Sequence, residues 1–122
     1  MLFEKETYQI IGICMEVHRR LGHGFSEIVY KDALEIEFQA RNIEYKREKE
    51  YSIEYKGLML RHKFYADFIV FDKIILEAKA VNGIFSKDDM AQSINYLKVS
   101  GCKIGLMINF GQSKLVHQRL IF

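Results

Sequence analysis

Two rhythms of apolar and polar positions alternate along the chain, and each predicts an element. From about Glu6 to Leu21, the residues Ile10, Ile13, Cys14, Val17 and Leu21 recur at helical spacing. Gly22 and Gly24 follow, supplying the stop that glycine gives a helix C-terminus. A second helix is predicted from about Ser26 to Asn42, with Ser26 as its N-cap. It carries one stripe of Tyr30, Leu34 and Phe38 and another of Val29, Ile36 and Ala40, the pattern of a helix covered on two sides. From Glu44 to Lys56 the period falls to two, with Tyr45, Tyr51, Ile53 and Tyr55 sharing one face of a strand. Lys56-Gly57 predicts a turn, a second strand beginning near Leu58 and running to Phe71, and a third from Ile74 to Ala80. A third helix spans about Ser86 to Ser100, opened by Ser86 and Asp89 at capping-box spacing, with Met90, Ile94 and Leu97 as its core stripe. Strands from Lys103 to Phe110 and from Lys114 to Ile121 complete the chain, split by Gly111-Gln112. The order ααβββαββ predicts an α/β sandwich around one mixed sheet.

The second and third strands, ending in FYADFIVFDKIILEAKA, are the centre of the pattern. Their Ile, Val, Phe and Leu content is that of strands buried on both faces, yet Asp67, Glu77 and Lys79 interrupt it. A buried unpaired carboxylate costs several kcal/mol, so such a strand needs a partner cation, a metal or a water-filled cleft. Glu77 and Lys79 are two apart and point to the same face. Asp67 joins them only if it pairs opposite Glu77. A two-residue turn at Asp72-Lys73 would set Asp67 opposite Ala78, so the chemistry predicts an odd-length turn or a bulge. Two carboxylates and a lysine on one patch suit metal-dependent hydrolysis, the acids as ligands and the lysine for charge. A structural ion network without metal accounts for the Glu77–Lys79 pair but leaves Asp67 and Glu27 unexplained.

Glu27 falls on the stripe of Tyr30, Leu34 and Phe38, an acid where periodicity points inward. Taken alone, it reads more simply as a first-turn acid that complements the helix dipole and pairs with Lys31. Gln92 and Tyr96 lie one turn apart on a side of the third helix that burial does not demand. If Met90, Ile94 and Leu97 face the sheet squarely, both point away from the acids. Arg61, His62 and Lys63 read as a solvated edge.

Composition adds boundaries. The chain has 122 residues, 49% hydrophobic and 28% charged, enough for one domain over residues 1–122 with a core of its own. A net charge of +2 neither demands nor opposes a nucleic-acid partner. Cys14 and Cys102 are isolated, without the spacing of a zinc site, and the four histidines form no metal pair. The start MLFEKETYQ lacks a signal-peptide pattern and no apolar run spans a bilayer, so a reducing cytoplasm and no membrane partner are expected.

Several of these residues together resemble a known family. Gly24-Phe25-Ser26-Glu27-Ile28-Val29-Tyr30 matches the GxxExxY signature of a family of small bacterial proteins. Asp67 followed by Glu77-Ala78-Lys79 resembles the D…(D/E)xK core of the PD-(D/E)XK nuclease superfamily, in which that family is placed. Gln92 to Tyr96 is similar to the QxxxY element of its RecB-like branch. The resemblance runs from about Tyr8 to Gly111, with Ala66 standing where the superfamily name has proline. It implies a restriction-endonuclease-like core, a mixed sheet of about five strands flanked by three helices. It also implies a divalent-metal-dependent nuclease acting on DNA, RNA being less favoured, with Mg2+ or Mn2+ as cofactor. Asp67 and Glu77 would ligate the metal, with the Ala78 carbonyl as a third ligand and Glu27 reaching it directly or through water. Lys79 would orient or activate the attacking water. Gln92, Tyr96, Tyr30 and Gly24 would support the site or touch the substrate, Tyr30 by steadying Glu27. The rival is an inactive nucleic-acid-binding or protein-interaction module that keeps the fold. A core this bare would need a second copy or a partner protein to gain affinity.

Overall fold

A computed structural model describes residues 2–122. Its elements are α1 (Glu4–Leu21), α2 (Glu27–Ala40), β1 (Tyr45–Tyr55), β2 (Leu58–Val70), β3 (Ile74–Lys79), α3 (Lys87–Ser100), β4 (Ile104–Asn109) and β5 (Val116–Ile121). This is the predicted order. The strands form one sheet in the order β1-β2-β3-β4-β5. Only β3 and β4 run parallel, because α3 carries the chain back between them; the other neighbours are antiparallel.

The sheet separates two cores. Ile10, Ile13 and Val17 of α1 and Tyr30, Leu34 and Phe38 of α2 pack on Phe68, Val70, Leu76, Ala78, Leu106 and Ile108. On the other face Leu97 of α3 packs with Ile69, Ile75, Met107 and Leu120. Alternate residues of β3 feed opposite cores, which is why that strand reads as a nearly continuous apolar run.

Ser86 caps α3 as predicted: its hydroxyl accepts the Asp89 N–H at 3.0 Å, and the Asp89 carboxylate accepts the Ser86 N–H at 3.2 Å. Ser26 stands at the N-cap of α2, but its side chain makes no capping bond. The second stripe of α2 is not covered, since Ile36 and Ala40 are exposed and Val29 is half-buried. One helix face meets the sheet and α1, and among the described residues none covers Ile36 and Ala40, so the expected two-sided cover is corrected to one. The face expected to be shared along β1 breaks at Glu48, whose left-handed φ of 53° interrupts the alternation. Tyr45 packs on the α1/α2 core and Tyr51 on the α3 core, and a register shift between Ser52 and Glu54 precedes exposed Tyr55. Arg61, His62 and Lys63 are exposed, as a solvated edge should be.

Asn109 fixes the exit of β3. It is 1% exposed, and its side-chain oxygen accepts the N–H groups of Val81 and Gly111 while its nitrogen donates to the Val81 and Gly83 carbonyls. A Cβ on Gly111 would lie 2.4 Å from the Val81 carbonyl oxygen, so only glycine permits this approach.

Candidate active site

The site grows from a hairpin that forks. β2 has 13 residues, but it meets β3 only through Phe68–Leu76, Ile69–Ile75 and Val70–Ile74. The connecting turn is Phe71-Asp72-Lys73, the odd length the chemistry demanded. Phe71 and Asp72 adopt φ of 57° and 56°, and Lys73 N–H donates to the Val70 carbonyl at 3.1 Å. One more step in this register sets Asp67 opposite Glu77. There the ladder stops: β2 departs with β1, and β3 continues beside β4. In place of a strand-to-strand bond, the Asp67 carboxylate accepts the Ala78 N–H at 2.8 Å. Both acids therefore stand at the mouth of the fork.

Two residues that sequence patterning missed complete the cluster. Arg47 pairs with Phe68 and Lys49 with Ala66, which leaves Glu48 across from Asp67 with a left-handed φ of 53°. Lys31 of α2 reaches over the fork, donating from Nζ to Asp67 Oδ1 at 3.0 Å and to Glu48 Oε1. The helix is held in place by Arg47, whose guanidinium pairs with Asp32 at 2.8 Å and Glu35 at 3.0 Å. Burial pulls the Lys31 ammonium down, but its bonds to Glu48 and Asp67 outweigh that and hold it above the ordinary lysine value. Lys31 lies beside the inward stripe of Tyr30, Leu34 and Phe38, but the stripe does not name its partner. Glu48 sits in an alternating strand that gives no signal for it.

Glu77 is the unusual group. It is 6% exposed, and its Oε1 has no hydrogen-bond partner among the described residues. Burial pushes its carboxyl up to about 9, with the Asp67 charge adding to the rise and Lys79 opposing it. Lys79, on the same face, lies 3.9 Å from the Asp89 carboxylate at the start of α3.

On α3 the buried positions are Ser93 and Leu97, while Met90 and Ile94 are only half-buried. The helix is rolled relative to the expected stripe, and this brings Tyr96 to the fork. Its ring stacks on Phe64 at 4.3 Å and 10°, and Phe64 stacks on Tyr51 at 5.1 Å and 16°. The Tyr96 hydroxyl is held above its usual value by burial and then by the charges of Glu77 and Asp67, so it lies within their field. Gln92 is exposed and makes no hydrogen bond among the described residues.

The helix 2 signature is placed differently from the expectation. Glu27 is exposed and the Lys31 ammonium turns to Asp67 and Glu48 instead of pairing with it. The reason is depth: Glu27 is the first residue of α2, and burial starts only at Tyr30. Tyr30 does not steady Glu27. It is fully buried, stacks on Phe110 at 4.6 Å, and donates to the Gly22 carbonyl at 2.7 Å while accepting the Phe25 N–H at 3.3 Å. It thus anchors the loop before α2, in which exposed Gly24 adopts φ 115°.

An acid on one strand of a forked hairpin and acid-x-lysine on the next, set in a mixed sheet between helices, define a nuclease-type α/β core. The family described as the PD-(D/E)XK nuclease superfamily matches residues 4–120, and the chain belongs to it. Among curated proteins, none matches. A solved structure described as "Crystal structure of SSO0001" is similar with a TM-score of 0.57 and 17% identity, covering 76% of this chain and 48% of that one. The chain thus spans about half the length of that protein, and the likeness is one of fold. The three helices and five-stranded mixed sheet are those of the restriction-endonuclease-like core.

Proposed function

We propose that the chain is a divalent-metal-dependent nuclease that hydrolyses phosphodiester bonds of DNA, RNA being the less favoured substrate, in a reducing cytoplasm. The GxxExxY resemblance of residues 24–30 supports a reading of it as one of the small bacterial members of the superfamily. The observation that carries the reading is the Glu77 Oε1, buried beside a second carboxylate with no hydrogen-bond partner among the described residues. Nothing in a structural role requires that arrangement, whereas hard oxygen donors crowded together suit Mg2+ or Mn2+.

Asp67 and Glu77 would hold the ion, with the Ala78 carbonyl beside them. When bound, it supplies Lewis-acid stabilisation of the phosphoryl oxygens and a water acidic enough to attack. Lys79 offers an ammonium on the same face as Glu77, placed to orient that water and offset phosphate charge. Tyr96 borders the fork and can contact the substrate backbone; Gln92, one turn away and free to move, can join it. Glu27 lies one turn before Lys31 and can act through water. A groove of about 410 Å3 on the α3 side, lined by Lys46, Lys49, Lys73, Lys103 and Tyr51, supports a polyanionic partner. The Tyr51–Phe64–Tyr96 stack connects it to the acids.

The test is incubation with DNA and RNA in Mg2+ and in Mn2+, wild type against Lys79→Ala. Cleavage of DNA by the wild type that drops about 10²–10³-fold in the variant is expected. Binding without cleavage in either metal would instead favour the non-catalytic module, which the Lys31 contact to Asp67 makes the second reading.

A further inference from the structure

We infer that Lys31 is a built-in competitor for the divalent ion: its ammonium bridges Asp67 and Glu48 and withdraws to Glu48 when the ion binds. The inference rests on the reading that Asp67 and Glu77 hold a metal. Three observations support it. Lys31 Nζ sits 3.0 Å from Asp67 Oδ1, so one of the two ligand carboxylates already has a cation. Glu77, nine-tenths buried, has an Oε1 without a hydrogen-bond partner among the described residues, so the other carboxylate has a donor site still open there. Glu48, held across from Asp67 by a left-handed backbone, gives the ammonium a second partner that remains when Asp67 is taken. An ion entering at Asp67 and Glu77 meets a like charge unless Lys31 moves, and the side chain is long enough to swing between two neighbouring carboxylates. Lys31 is thus a positioning residue that sets cation affinity, and Glu48 acts only through it.

The experiment is calorimetric titration with Mn2+ of the full chain in four forms: wild type, Lys31→Met, Glu48→Gln and the double variant. Lys31→Met should bind about tenfold tighter, the size of one contact between like charges in a half-buried site. Glu48→Gln should bind about tenfold weaker, because the displaced ammonium then has nowhere to go. In the Lys31→Met background the Glu48→Gln change should have no effect. If Glu48 weakens binding equally in both backgrounds, it is a direct ligand and the inference fails. Equal affinity of wild type and Lys31→Met overturns it too, while leaving the metal site intact. Absence of Mn2+ binding in all four forms removes the metal reading itself. Should Lys31→Met be unfolded without metal, circular dichroism decides: folding on addition of Mn2+ supports the inference, and failure to fold contradicts it.

Discussion

Burial pushes the Glu77 carboxyl up to about 9, so without a bound cation it keeps its proton at pH values where an exposed glutamate loses it. Below about 4.5 the folded and unfolded chains are both protonated at this position, so the full stability is present. As pH rises towards about 9, the unfolded chain releases the proton and the fold resists, so stability falls across that window. In chelator-treated protein, Glu77→Gln should therefore flatten the decline of Tm between pH 5 and pH 9, measured by thermal denaturation at each pH. A slope unchanged by the substitution would mean that Glu77 is ionised in the fold. Lys31 and Glu48 show why part of the site could not be read from the chain. A lysine next to a core tyrosine has many equivalent readings, and only the packing of α2 on β1 puts its ammonium against Asp67. Glu27 shows the opposite error: its stripe gave the direction of the side chain, but depth depends on where the helix starts relative to the sheet.

Among the elements, the forked hairpin was legible because chemistry constrained it. Requiring Asp67 and Glu77 to meet ruled out a two-residue turn, and the fold has three residues there. The capping box of α3 was equally readable, since Ser86 and Asp89 interact locally. The roll of α3 was not: Met90, Ile94 and Leu97 have the period of a core stripe, yet Ser93 takes the central place beneath it. Leu97 of that stripe still sits close on β4, where a Cβ on Gly105 would come within 3.2 Å of it, and Met90 and Ile94 pack at the rim of the same core. The clamp at the exit of β3 was also invisible, because Asn109 bonds a loop 26 to 28 residues away in sequence. Its four hydrogen bonds are buried, so Asn109→Ala should cost about 2–4 kcal/mol in urea unfolding. Gly111→Ala, which forces a methyl group onto the Val81 backbone, should cost about 1–3 kcal/mol by the same measure.

At the scale of the molecule, a net charge of +2 hides an uneven distribution. Lys46, Lys49, Lys73 and Lys103 line one groove on the α3 face, with Asp72 as its one acid. If that groove tracks a phosphate backbone, replacing Lys46, Lys49 and Lys103 with glutamine should weaken duplex binding. The slope of log K against log salt should fall by about 2–3, measured by fluorescence anisotropy. An unchanged slope would move the substrate path elsewhere. No helix among the described residues is long and apolar enough to cross a membrane. The central claim, that Asp67 and Glu77 meet to hold one divalent ion, is tested most directly by titrating Mn2+ at pH 7 in buffers of different ionisation enthalpy. The account predicts binding that releases about one proton as Glu77 ionises, and that is lost in Asp67→Asn. Binding that releases no proton and survives Asp67→Asn would contradict it.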